Sequence, residues 1–108
     1  MQTFDNNTYT HKIYSHNNRV VLISMGNGSM NSAFNNYVYL YKIIVYEYNN
    51  GSHQLIGNIT FEAPWTKLRY LIQVSPQLTK IYIKYRNNNL NKTYNLLYNV
   101  NFESNSIS

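Results

Sequence analysis

Along this chain, short runs in which apolar and β-branched residues alternate with polar ones are separated by clusters of Asn, Gly, Pro and Ser. Alternation with a period of two predicts half-buried strands. The pattern gives seven: Thr8–Ser15, Arg19–Met25, Tyr37–Tyr48, His53–Glu62, Lys67–Val74, Thr79–Arg86 and Lys92–Glu103. The third, YVYLYKIIVYEY, is the longest and most β-prone. Nothing else reads as regular structure except one helical turn at Ser32–Phe34, inside a long Gly26–Asn36 connection.

The breaks between strands carry turn chemistry. Asn50-Gly51 accepts positive φ and predicts a tight hairpin joining the third and fourth strands. Pro64 cannot donate to a ladder, so Ala63-Pro64-Trp65 ends the fourth strand. Ser75-Pro76-Gln77 makes another turn, and Arg86–Asn91 a polar hairpin loop. No repeat or composition break divides the chain, so residues 1–108 read as one domain. Short strands with tight connections predict an all-β fold: a small antiparallel β-sandwich of about seven strands, immunoglobulin-like or jelly-roll-like. A five-stranded OB-type barrel is the alternative.

Closing the Asn50-Gly51 hairpin without irregularity pairs Tyr48 with His53, Tyr46 with Leu55, Ile44 with Gly57 and Leu40 with Phe61. Leu40, Ile44, Tyr46, Leu55, Ile59 and Phe61 then form a core layer, and Tyr37, Tyr39, Tyr41, Ile43, Val45 and Ile56 face the other way. That second set is too apolar for a solvated face. Either the hairpin is covered on both sides, or Tyr37, Tyr39, Tyr41 and Ile43 form an exposed aromatic patch that binds a partner. Later strands alternate more cleanly. Ile81, Ile83 and Tyr85 point inward, as do Tyr94, Leu96, Tyr98, Val100 and Phe102. Lys80, Tyr82, Lys84 and Arg86 point outward, extended by Lys67 and Arg69. Cations interleaved with a ring suit single-stranded nucleic acid, although a solvated strand that discourages edge pairing has the same composition.

Composition sharpens the picture. Twelve of the 108 residues are Tyr, a side chain that buries its ring and keeps its hydroxyl at water or at a partner. Nine basic residues against four acids give a net charge of +5, which favours anionic partners or simply maintains solubility. Nineteen residues are Asn, which together with Tyr, Ile and Lys suggests an AT-rich genome, such as that of a phage, another virus, a low-GC bacterium or a protist. The absence of cysteine removes disulfides, thiolate metal sites and thiol nucleophiles. No apolar run is long enough to span a bilayer, and the polar start does not read as a signal peptide. A chain opening on Met1 in this way is expected to be a complete small gene product.

Catalytic chemistry finds little support. Asp5, Glu47, Glu62 and Glu103 form no close pair, and His11, His16 and His53 are scattered. Asp5, Asn6 and Asn7 lack the further acids that a Ca²⁺ site needs. The N-x-[ST] triplets at Asn6, Asn27, Asn50, Asn58 and Asn91 are what chance gives in so Asn-rich a chain. Trp65 is expected to plug one end of the core; its alternative role is a stacking platform for carbohydrate.

The chain is therefore expected to be a non-enzymatic structural or interaction module without metal or cofactor. Its expected setting is a virion, as an auxiliary or decoration protein of a phage capsid or tail that contacts other structural proteins in many copies. A carbohydrate-binding β-sandwich and a basic barrel for single-stranded nucleic acid are the alternatives. Outside a virion it is expected to be soluble.

Overall fold

The computed structural model describes residues 8–108, with side chains from Lys12 onward. Asp5, Asn6 and Asn7, weighed above as cation ligands, and the side chain of His11 lie outside the described residues. Two four-stranded antiparallel sheets pack face to face. The first comprises β1 (Thr8–His16), β2 (Arg19–Asn31), β3 (Asn36–Asn49) and β4 (Ser52–Ala63). The second comprises β5 (Ile72–Val74), β6 (Lys80–Asn87), β7 (Lys92–Asn101) and β8 (Ser106–Ile107). A single helical turn, α1 (Leu68–Leu71), follows Pro64 and Trp65 on the crossing between the sheets.

The small antiparallel sandwich expected from the pattern is thus the observed fold, and neither sheet closes into a barrel. Strands are adjacent in chain order within each sheet, so each is a plain meander. Immunoglobulin and jelly-roll sandwiches instead interleave their strands in Greek keys.

Three predicted elements differ. The Gly26–Asn36 connection is mostly strand: β2 runs to Asn31, one extra residue bulges where Gly26 and Asn27 face Leu40, and only residues 32–35 turn. Lys67–Val74 is not one strand but α1 followed by the three-residue β5. Leu68, Leu71 and Ile72 point into the core at the i, i+3, i+4 spacing of a helical turn, which period-two alternation over the same residues conceals. The last predicted strand ends at Asn101, and residues 102–105 turn back into β8.

The core is supplied by the facing sides of both sheets. Val21, Ile23, Tyr41, Ile43, Val45, Ile59 and Ala63 of the first meet Ile72, Ile81, Ile83, Val100 and Phe102 of the second. The face of β3 that meets the second sheet is therefore the reverse of the expected one, although Ile44 and Tyr46, expected in the core, are buried on the other side as well. Tyr41 and Ile43 are 1% and 0% exposed, whereas Leu40 and Leu55 are 48% exposed on the outside. The cause is a bulge in β4. Tyr48↔His53 and Tyr46↔Leu55 pair as predicted, but Ile56 is then inserted and Val45 faces Gly57. One extra residue flips the phase of everything beyond it.

One end of the sandwich is closed by a column of rings crossing both layers. Tyr41 stacks on Phe61 (5.2 Å), Phe61 on Tyr85 (5.9 Å) and Tyr85 on Tyr94 (4.9 Å), all within 20° of parallel. Burial raises the Tyr85 hydroxyl above its ordinary pKa, with Tyr94 and Tyr98 adding to the effect. The β6–β7 loop is tied to the first sheet, because Asn87 and Asn89 both donate to the Ala33 carbonyl at 3.2 Å.

Candidate functional site

The outer face of the second sheet carries Gln73 from β5, Lys80, Tyr82, Lys84 and Arg86 from β6, and Thr93, Asn95, Leu97 and Asn99 from β7. This is the outward stripe that the alternation of β6 predicts. The segment between the sheets rises beside it. Pro64 turns the chain out of β4, Trp65 follows at 60% exposure, and α1 lifts Tyr70 to 57%. The result is a cleft of about 500 Å³ between that segment and the sheet, with Trp65 and Tyr70 on one side and Tyr82, Lys84, Arg86 and Thr93 on the other. Trp65 is therefore no core plug. The sandwich end is already filled by the aromatic column, which leaves the indole facing out.

Tyr70, Tyr82 and Arg86 are held in place. The Tyr82 hydroxyl donates to Asn95 Oδ1 at 2.6 Å across the β6–β7 ladder. The Arg69 guanidinium lies over the Tyr70 ring, 4.8 Å from its centroid, and donates to its phenol oxygen at 3.1 Å. Arg86 is gripped most firmly. Its Nε donates to Asn88 Oδ1 at 2.8 Å, Nη1 to Thr93 Oγ1 at 3.2 Å and Nη2 to Asn91 Oδ1. All three acceptors are neutral, so the guanidinium is oriented while its charge stays uncompensated. Among the described residues, no carboxylate lines the cleft.

The wider electrostatics agree. Residues 63–102 hold six of the nine basic side chains (Lys67, Arg69, Lys80, Lys84, Arg86 and Lys92) and not one acid. The remainder of the chain has three cations and all four carboxylates. The positive charge is therefore concentrated in the second sheet and the segment leading into it, not spread over the strands. Such a one-sided field draws anions to that face.

The other proposed partner residues do not gather into one patch. Tyr37 is 57% exposed, Tyr39 is half-buried with its ring over Gly28, and Tyr41 and Ile43 are in the core. Lys80 shares the outer face but opens onto a second concavity near Arg19, Phe102 and Glu103. Trp65, Tyr82, Lys84 and Arg86 do converge, although Trp65 and the stripe served separate readings of the sequence. Tyr70, Thr93 and the Asn91 and Asn95 side chains that brace the cleft were not singled out. Tyr70 lay within a predicted strand, and asparagines in an Asn-rich chain carry no individual signal.

Among the described residues, no group of three or more His, Asp or Glu side chains is positioned to hold a metal ion, and no helix is long and apolar enough to cross a membrane. No family model matches the sequence, and no curated protein or solved structure gives a significant match.

Proposed function

We propose that this protein is a non-enzymatic binding module whose working surface is the outer face of the second sheet, and that the partner it captures there is anionic. The observation that carries this reading is the cleft itself. It presents an oriented guanidinium, a second cation and exposed rings together, with no carboxylate among the described residues that line it. A guanidinium fixed by neutral acceptors is preorganised to meet phosphate, sulfate or carboxylate groups. The chain should be retained on a polyanionic matrix at low ionic strength and released by salt. Arg86→Glu should elute at clearly lower salt while still melting cooperatively, and equal elution of variant and parent would remove the reading.

The setting we propose is a multi-copy assembly, with the phage or viral particle inferred from composition as the leading case. The specific observation in its favour is a second exposed surface. The outer face of the first sheet shows Ile13, Leu40, Tyr48 and Leu55 to solvent. One face for an anionic partner and another for neighbours would let weak contacts add up across many copies. Cosedimentation with assembled particles tests this, and a monomer that joins no particle would count against it.

A further inference from the structure

We propose that the cleft is a nucleobase subsite: one base of a single-stranded nucleic acid stacks against Trp65 while neighbouring phosphates meet Lys84 and Arg86. This inference rests on the anion-binding reading of the face and names the ligand class for it.

The ring content of the cleft separates nucleic acid from other anions. Trp65 and Tyr70 are the most exposed aromatics on this side of the molecule, at 60% and 57%. Two exposed rings walling one concavity are the kind of apolar surface that marks an interaction site, and a flat ring stacks well on them. Tyr70 is clamped by Arg69, and Trp65 follows directly on Pro64. Tyr82 offers a third ring, tethered to Asn95. An acidic protein surface would be met by cations on a flat face and would have no use for a ring-walled concavity. A neutral sugar would stack on Trp65, but it gains nothing from Lys84, an oriented Arg86 and the surrounding cations.

A polymer that alternates flat aromatic rings with phosphates uses both sets of groups. The spacing within β6 also fits. Lys80, Tyr82, Lys84 and Arg86 project from the same face at every second residue and form a track leading out of the cleft along the strand. At about 500 Å³, the cleft lies within the range of sites that enclose a small ligand, enough for one nucleotide unit but not for a duplex. Stacking on a ring does not read base edges, so binding should tolerate any sequence.

The test compares an oligothymidylate of about ten nucleotides, within the span of small single-strand binding domains, with an abasic oligodeoxynucleotide of equal length. Trp65 is the sole indole, so its fluorescence reports directly on stacking. The oligothymidylate should quench Trp65 and bind roughly tenfold more tightly than the abasic strand. In anisotropy with labelled strands, Trp65→Ala and Tyr70→Ala should each lose most of that advantage and leave abasic binding unchanged. Both residues are exposed, so their variants should melt like the parent.

Equal binding of the two strands without quenching would overturn the base subsite while sparing the anion-binding reading. Failure of both strands to bind at low salt would sink both. A sulfated glycan that quenches Trp65 where oligothymidylate does not would overturn the inference in favour of an acidic polysaccharide.

Discussion

Seven described residues have positive φ: Asn17, Asn35, Asn50, Asn91, Asn105, Leu78 and Gly51. Asparagine tolerates the left-handed region better than other residues with a Cβ, and Asn35, Asn91 and Asn105 each close a four-residue loop between paired strands. Part of the Asn content that looks like codon bias is therefore turn chemistry. Only Asn50-Gly51 announces itself in the sequence, because the other positions depend on where the strands pair. Gly51, at φ +82°, has no heavy atom within 4 Å of where a Cβ would sit. Gly51→Ala should therefore cost about 1 kcal/mol in urea unfolding through backbone strain alone. Leu78 accepts φ 61° because its side chain is buried in the core. Tyr41 makes a second prediction at this scale. Burial, with a smaller contribution from Tyr39, pushes its hydroxyl up to about 12. The folded state then keeps a proton that the unfolded state loses near pH 10, so stability is full below pH 10 and falls as pH rises towards 12. The loss should be on the order of 2–3 kcal/mol. Tyr41→Phe should flatten that alkaline slope in pH-dependent melting, and an unchanged slope would contradict the assignment.

Strand β4 shows how one irregularity controls an element. The turn at Asn50-Gly51 sets the first pairs correctly, as the sequence implies, and the inserted Ile56 then shifts the rest. The hairpin is apolar on both sides, so the pattern alone contains no phase that could reveal the shift. Strands β6 and β7 have a clean inside and outside, and there the assignment of faces from sequence agrees with the structure. The bulge is followed by Gly57, where an added Cβ would sit 3.0 Å from Ile107 Cδ1. The missing side chain lets β8 close over the edge of the sandwich, secured by paired hydrogen bonds between Asn99 and Ser108 at 2.7 and 2.9 Å. Gly57→Val should displace β8. Hydrogen exchange at the Asn99 and Ser108 amides should accelerate sharply, with β6 remaining protected, and protection at both sites in the variant would show that the close approach is dispensable.

Across the whole molecule, the sandwich separates two surfaces of different character. One sheet carries Glu47 and Glu62 together with exposed Leu40 and Leu55, and the other, with the segment leading into it, carries six of the nine cations and the ring-walled cleft. The clustering of basic residues between Lys67 and Lys92 is present in the sequence, but it acquires meaning only once Lys80, Lys84 and Arg86 prove to share the outer face of β6. Seventeen positions separate Trp65 from Tyr82, and no local pattern relates them; the crossing between the sheets brings them together. The central claim is that anionic partners bind this face and no other. The most direct measurement is the salt dependence of single-stranded oligonucleotide binding by Lys84→Glu and by Lys12→Glu, which change the net charge identically on the two sheets. Lys84→Glu should weaken binding severalfold and lower the slope of log K against log salt by about 0.7 for each phosphate left unneutralised, while Lys12→Glu stays close to the parent. Equal weakening in both variants would mean that net charge alone drives association, and would contradict the account.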